Sequence, residues 1–196
     1  MALGHHEEWA LSRCLKEDKM KEYAKIKSLG ACRSALEWLQ SYTDPQKAWG
    51  ECERGDWMLW LLSWQSEDSE PRKKLVYTAC QCARLALPNI KDERARKCIE
   101  TTEAWIRGEA SIAQVKDARS AAYDAAFFAA SDVAYDAAYA AFAAAAYVSV
   151  ATYAAYADDV IAAHASVAIY ADDVTAVDRK QCANIVREHY PDPPTL

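Results

Sequence analysis

Residues 118–178 read ARSAAYDAAFFAASDVAYDAAYAAFAAAAYVSVATYAAYADDVIAAHASVAIYADDVTAVD, and the reading of this stretch decides the fold. It holds 26 alanines in 61 residues, no Gly, no Pro and a single basic side chain, Arg119. Ala has the highest helix propensity, and nothing in the run supplies a helix stop. The larger side chains recur in heptads. Phe128, Tyr135, Phe142, Ser149, Tyr156, Ala163, Tyr170 and Val177 share one position, and Asp132, Tyr139, Ala146, Tyr153, Val160, Val167, Val174 and Gln181 share the complementary one. A 3-4 spacing of this kind is a seam for packing against another helix. The flanking alanines would permit close approach, so the pattern predicts a helical spine, either one long helix or a hairpin folded once on itself.

A single helix from Ser111 to His189 would exceed ~100 Å at the helical rise per residue. A monomeric domain of this size cannot cover that length, so the spine either folds back or pairs with a second copy as a homodimer. The β-branched Val148-Ser149-Val150-Ala151-Thr152 is its poorest helix-forming segment, and Asp158-Asp159 and Asp172-Asp173 can act as N-caps at a break. Two echoes run through the spine. Tyr123–Phe127 recurs as Tyr135–Tyr139, and Tyr156–Val160 recurs as Tyr170–Val174 two heptads on, which keeps the seam in phase. No turns separate them, so they read as duplications within a helix rather than solenoid repeats.

Outward from the spine, short helices are predicted on each side. Glu7–Lys27 forms the first, ending near Gly30. Ser28 is expected to cap a second, Ala31–Ser41, and Pro45 opens a third that reaches Cys52. Asp56 is placed to cap Trp57–Trp64. Pro71 opens a helix running to Leu87, and another begins at Lys91-Asp92 and ends at Gly108 as a left-handed C-cap. Ser111 caps the entry to the spine, and the last helix stops at the proline-rich tail after Tyr190. The expected architecture is therefore all-α: several short helices packed on a long Ala-rich helix or helical hairpin. Residues 1–108 form a Trp-rich short-helix region and residues 109–196 the Ala/Tyr/Asp-rich spine with its C-terminal helix, the two making one cooperative domain.

The 196-residue chain carries a net charge of −6, unevenly spread. Residues 1–108 hold 18 basic and 17 acidic side chains, a net of +1; residues 109–196 hold 5 and 12, a net of −7. An acidic spine does not seek phosphate backbones, so direct nucleic-acid binding is not expected, and a basic protein surface is its natural complement. Seven cysteines at irregular spacing, with no secretory leader, predict reduced thiols packed as small hydrophobes in a cytoplasmic protein. Ala137–Ala157 is free of charge and long enough to cross a bilayer, but it is only weakly apolar and has acidic flanks. No membrane role is expected.

Chemistry-bearing patterns are sparse. Cys80 and Cys82 point to different helix faces and have no ligand-spaced His or Cys partner, so neither metal nor cofactor is predicted. No nucleophile–base pair or phosphate loop appears, and the chain reads as a non-enzyme. The densest constellation is Trp49, Cys52, Asp56, Trp57, Trp60 and Trp64. Trp57, Trp60 and Trp64 at i, i+3, i+7 form one stripe, which serves either as core beneath the spine or as an aromatic recognition patch. Arg54, Arg72, Lys73 and Lys74 would suit an anionic ligand or form a solvated cluster. Candidate binding residues are Trp49, Asp56, Trp57, Trp60, Arg72, Arg84 and the seam tyrosines Tyr135, Tyr139 and Tyr156.

Several blocks carry a resemblance: Ala31-Cys32 with Ala35–Trp38; Ala48-Trp49 and Cys52; Arg54–Leu61; Arg72–Val76; Ala79–Pro88; Ala104-Trp105; and Cys182–Arg187 followed by His189-Tyr190-Pro191. Together with the Ala/Tyr/Asp-rich middle they resemble the immunity-five-like family of immunity proteins of bacteria and phages, over nearly the whole chain from about Leu29. The resemblance implies a cytosolic, all-helical protein that neutralises a toxin or defence protein by binding it. It carries no catalytic residue set. The alternative is a binder that sequesters a small anionic signalling molecule such as a nucleotide. A pocket lined by Trp57, Trp60, Arg72 and Arg84 would favour the second reading, and a broad exposed Trp or Tyr/Asp surface the first.

Overall fold

A computed structural model describes residues 20–64, 69–85, 87, 92–127 and 176–195. Every element among them is a helix, and no strand occurs among the described residues. The expected all-α class is the class found. The spine is described only in its first turns, up to Phe127; its seam positions from Phe128 through Tyr170 lie outside the described residues.

The described residues group into two compact units, those up to Cys52 together with those from Asp192, and those from Glu53 to Pro191. In the first unit, α1 runs through residues 20–28, α2 spans Arg33–Gln40 and α3 spans Pro45–Glu51. The expected cap at Ser28 is corrected. Its hydroxyl donates to the Lys25 carbonyl at 2.7 Å and so closes α1, while Cys32 occupies the N-cap of α2 without a side-chain bond. Gly30 follows in the left-handed region at φ +90°, which turns the chain before α2 can start. Asp44 caps α3 by accepting from the Gln46 amide at 2.9 Å, and Pro45 takes the first helical position. Ala48, Trp49 and Cys52 are buried, and Trp38 packs on Tyr42 at 4.6 Å.

The second unit comprises α4 (Gly55–Ser63), α5 (Ser69–Arg84), α6 (Glu93–Ile106), α7 (Ile112–Phe127) and α8 (Ala176–His189). Helices α4, α5 and α8 pack mutually, α5 also packs on α6, and α6 on α7. Asp92 caps α6 through the Arg94 amide at 2.9 Å. Gly108 at φ +78° ends α6, and Ser111 opens α7 three residues later. There the Gln114 side-chain oxygen accepts from the Ser111 amide at 2.8 Å, and the Ser111 hydroxyl accepts from the Gln114 amide at 3.3 Å. This reciprocal pair is a capping box, so α6 and α7 are joined by signals legible in the chain itself.

In this second unit the helices bury stripes at helical spacing. The stripe is Met58, Leu59 and Leu62 on α4; Leu75, Val76, Ala79, Cys80 and Ala83 on α5; and Ala95, Cys98, Ile99 and Thr102 on α6. Val115, Ala122 and Ala125 of α7 and Ala183 and Val186 of α8 complete the core. Alanines fill many of these positions, so contact here depends on close helix approach rather than bulky side chains. The hydroxyls of the buried Thr78 and Thr102 are both paired with carbonyls of their own helices. Thr78 donates to the Lys74 carbonyl at 2.9 Å and Thr102 to the Cys98 carbonyl at 2.8 Å.

Helices α4 and α8 approach closely at Gly55. A Cβ added at Gly55 would meet the Cys182 sulfur and would lie 2.7 Å from both the Ala183 nitrogen and the Cys182 carbonyl carbon. Two of these atoms are backbone, so relief requires moving a helix. Gly55→Ala is expected to lower stability by ~1–3 kcal/mol, the usual cost of overpacking. Gly50→Ala on α3, where an added Cβ meets nothing within 4 Å, is expected to leave stability unchanged or raise it by up to ~1 kcal/mol through helix propensity. Thermal denaturation of the two variants beside wild type checks both, and equal melting temperatures for all three would contradict the close-approach account.

Candidate functional site

The tryptophan stripe of α4 does not form the core of that helix. The buried side consists of Gly55, Met58, Leu59 and Leu62; Trp57 and Trp60 are half-buried, and Trp64 is exposed. The reason is helical phase. The aliphatic residues take the arc that faces α5 and α8, which leaves the i, i+3, i+7 indoles on the adjoining arc. Trp60 and Trp64 meet edge to face at 6.2 Å and 78°. The Arg54 guanidinium lies over the Trp57 ring at 4.5 Å. The stripe is thus a self-supporting aromatic ridge with a cation at its N-terminal end.

Asp56 is also corrected. Helix α4 begins at Gly55, so Asp56 falls inside its first turn instead of capping it. Its carboxylate accepts two bonds from Arg54, at 2.9 Å from Nε and 2.6 Å from Nη2, in a largely buried pair. A carboxylate in the first turn is well placed against the helix dipole, and the bidentate bond fixes the guanidinium on which Trp57 rests. Beside it, Lys180 of α8 donates to Glu53 at 2.6 Å and holds that carboxyl below its ordinary pKa. Arg187 donates to Asn184 at 2.7 Å and reaches the Met58 sulfur at 4.0 Å. Glu53, Lys180 and Arg187 thus tie α8 to the chain at and just before α4.

The remaining sequence candidates are dispersed. Trp49 is buried on α3 in the first unit. Arg72 lies half-buried near the start of α5, where Lys73 pairs with Glu70 at 3.1 Å. Arg84 is at the other end of that helix, ~18 Å further along its axis. The two arginines do not face one small-molecule pocket. Instead, Arg84 makes a bidentate bond to Glu103 of α6, at 2.7 Å through each nitrogen, and this bond raises its pKa. Arg84 is a clamp between helices. Tyr135, Tyr139 and Tyr156 lie outside the described residues.

A second cluster, on α5 and α8, is one the sequence reading does not pair. The Lys74 ammonium lies over the Tyr190 ring at 4.5 Å, and Tyr77 meets His189 edge to face at 5.4 Å. Tyr77 is exposed, while burial pushes the Tyr190 hydroxyl up to about 12. Lys74 and Tyr77 at i, i+3 form a visible motif, but pairing it with His189 and Tyr190 requires the tertiary contact of α5 with α8.

Six cysteines are free thiols among the described residues, and no group there of three or more His, Cys, Asp or Glu could hold a metal ion. Cys80 and Cys98 are fully buried; burial raises the Cys80 thiol far above its ordinary value and the Cys98 thiol to about 12. Such thiols are not nucleophiles near neutral pH. No described helix is long and apolar enough to cross a membrane.

The residues that form α5 to α8 are also those matched by a family model. The description is Imm-5 like putative immunity protein, and the match covers residues 66–190. The chain belongs to this immunity-protein family. No curated protein and no solved structure matches the chain. The matched span begins after α4, so the blocks Ala31–Trp38, Ala48–Cys52 and Arg54–Leu61, read above as part of the resemblance, lie outside it. Within the immunity-family span, Arg84–Glu103 ties α5 to α6. If Arg84 is a clamp, a double-mutant cycle with Arg84→Met and Glu103→Gln should give a coupling of ~1–3 kcal/mol in urea denaturation. A coupling near zero would return Arg84 to the pool of ligand-binding residues.

Proposed function

We propose that the chain is a non-enzymatic immunity protein of the bacterial cytoplasm that neutralises a toxin or defence protein by binding it, with the tryptophan ridge of α4 as the contact face. The observation that carries this reading is the ridge itself. Trp57, Trp60 and Trp64 stay partly in water although four other residues of the same short helix are buried. Solvent-accessible tryptophans beside a fixed arginine are the residue types that dominate binding energy at protein interfaces. Their rigidity lowers the cost of ordering them on association.

Family membership supports the protein-partner reading in general, and the position of the ridge supports a division of labour. Helices α5 to α8 fall within the family span and α4 lies just before it. A shared scaffold with a recognition helix added at its edge would let different members meet different antagonists. The dispersal of Arg72 and Arg84 removes the geometric motive for a nucleotide pocket between them.

The test is affinity capture from lysate of the bacterium that carries the gene, with bound protein and bound nucleotide analysed separately. The expected result is a protein partner whose toxicity on expression is relieved by the wild-type chain. The variant Trp60→Ala/Trp64→Ala should bind at least ~10-fold more weakly, in keeping with hot-spot losses, while its melting temperature changes little. Capture of a nucleotide without protein would overturn the reading, and undiminished binding by the double variant would move the contact face off α4.

A further inference from the structure

Where α4, α5 and α8 meet, two cysteines from distant parts of the chain lie against each other. The Cys82 thiol on α5 donates to the Cys182 carbonyl on α8 at 3.7 Å, across 100 residues of sequence. Cys182 is also the residue whose sulfur an added Cβ at Gly55 would strike, which fixes it at the three-helix junction. Both residues are only partly buried, unlike Cys80 and Cys98, which have no solvent-accessible surface. A disulfide forms without a large backbone movement only between cysteines whose backbones are already packed together, and the contact of α5 with α8 at these two residues provides that.

We propose that Cys82 and Cys182 are a disulfide-forming pair, oxidised by a low-molecular-weight disulfide of the glutathione type, and that the bond staples α5 to α8. Cys82 attacks first as its thiolate. Its sulfur bonds to one sulfur of the oxidant, the oxidant's S–S bond breaks, and one small thiol leaves with a proton. Cys182 then gives its proton to water and attacks the Cys82 sulfur, and the second small thiol leaves. Two protein thiols have lost two hydrogens and one small disulfide has become two thiols, so the exchange balances. The order follows from the surroundings. Neighbouring Cys82, and burial after it, hold the Cys182 thiol well above its ordinary pKa, and capping Cys82 as a mixed disulfide removes the first of these two causes. The staple is independent of which face of the molecule binds a partner.

The experiment is to incubate the reduced full-length protein with oxidised glutathione in native buffer and then map its peptides without reduction. The expected result is an intact mass lower by about 2 Da with one cross-linked peptide joining Cys82 to Cys182. Cys182→Ser should instead retain one glutathione on Cys82, and Cys82→Ser should give neither product at position 182. In urea the same treatment should scramble the pairings, since proximity there is no longer set by the fold. A native cross-link to a different cysteine, or a wild-type adduct on Cys82 that persists without closing, would overturn the proposal. The wild-type map decides this even if a variant folds poorly.

Discussion

The close approach of α4 to α8 at Gly55 is the constraint on which the second unit depends. With only a hydrogen in place of a side chain, the start of α4 lies on the backbone of Cys182 and Ala183. This contact sets the phase of α4. Once Gly55 faces α8, residues three, four and seven positions on must face the same way, and those are Met58, Leu59 and Leu62. The tryptophans are thereby committed to the neighbouring arc. A scaffold contact thus determines what the surface offers, and the exposure of the ridge follows from backbone packing on its far side.

Small residues recur wherever helices of this unit meet. Ala79 and Ala83 on α5, Ala95 on α6, Ala122 and Ala125 on α7 and Ala183 on α8 are all buried. Each contributes little apolar area, so stability has to come from dispersion across closely apposed backbones and from a few larger anchors such as Leu75, Ile99 and Val186. Polar clamps supplement this thin core at its edges. Arg84–Glu103 joins α5 to α6, Glu53–Lys180 bridges the start of α4 to α8, and the Lys74–Tyr190 and Tyr77–His189 contacts secure the end of α8 on α5. The exposed Glu53–Lys180 pair adds little stability in water, while the more sheltered Arg84–Glu103 bond fixes geometry.

Much of the local structure was legible because it rests on local signals. The helix starts at Pro45 and at Lys91-Asp92, the cap at Ser111, the stop at Gly108 and the end of α8 near Tyr190 each follow from residues within a turn of the boundary they set. The reading failed where two local explanations competed. Ser28 could close one helix or open the next, and Asp56 could cap a helix or pair with Arg54; the shift of the α4 start to Gly55 settled the second. What no periodicity could supply was which helices touch. The i, i+3, i+7 stripe of Trp57, Trp60 and Trp64 looked as eligible for the core as the aliphatic stripe beside it, because the deciding contact, Gly55 on Cys182, lies 127 residues away in the chain. For the same reason Arg84 read as a ligand-binding candidate until Glu103 appeared opposite it.

The arrangement around Arg54 shows why an aromatic ridge can sit on so small a helix without unravelling it. A half-buried tryptophan on a nine-residue helix would ordinarily be free to sample rotamers, and fixing it on association would cost entropy. Here Trp57 is held under a guanidinium, the guanidinium is held by two bonds to Asp56, and Asp56 lies in the first turn where the helix dipole favours its charge. Trp60 and Trp64 restrain each other by edge-to-face contact. The ordering is completed within α4 before any partner arrives, and the underside of the helix is anchored separately by Met58, Leu59 and Leu62. An aromatic surface held in this way can change its outward side chains while Gly55 keeps its seat on α8, so the ridge and the scaffold contact are set by different residues.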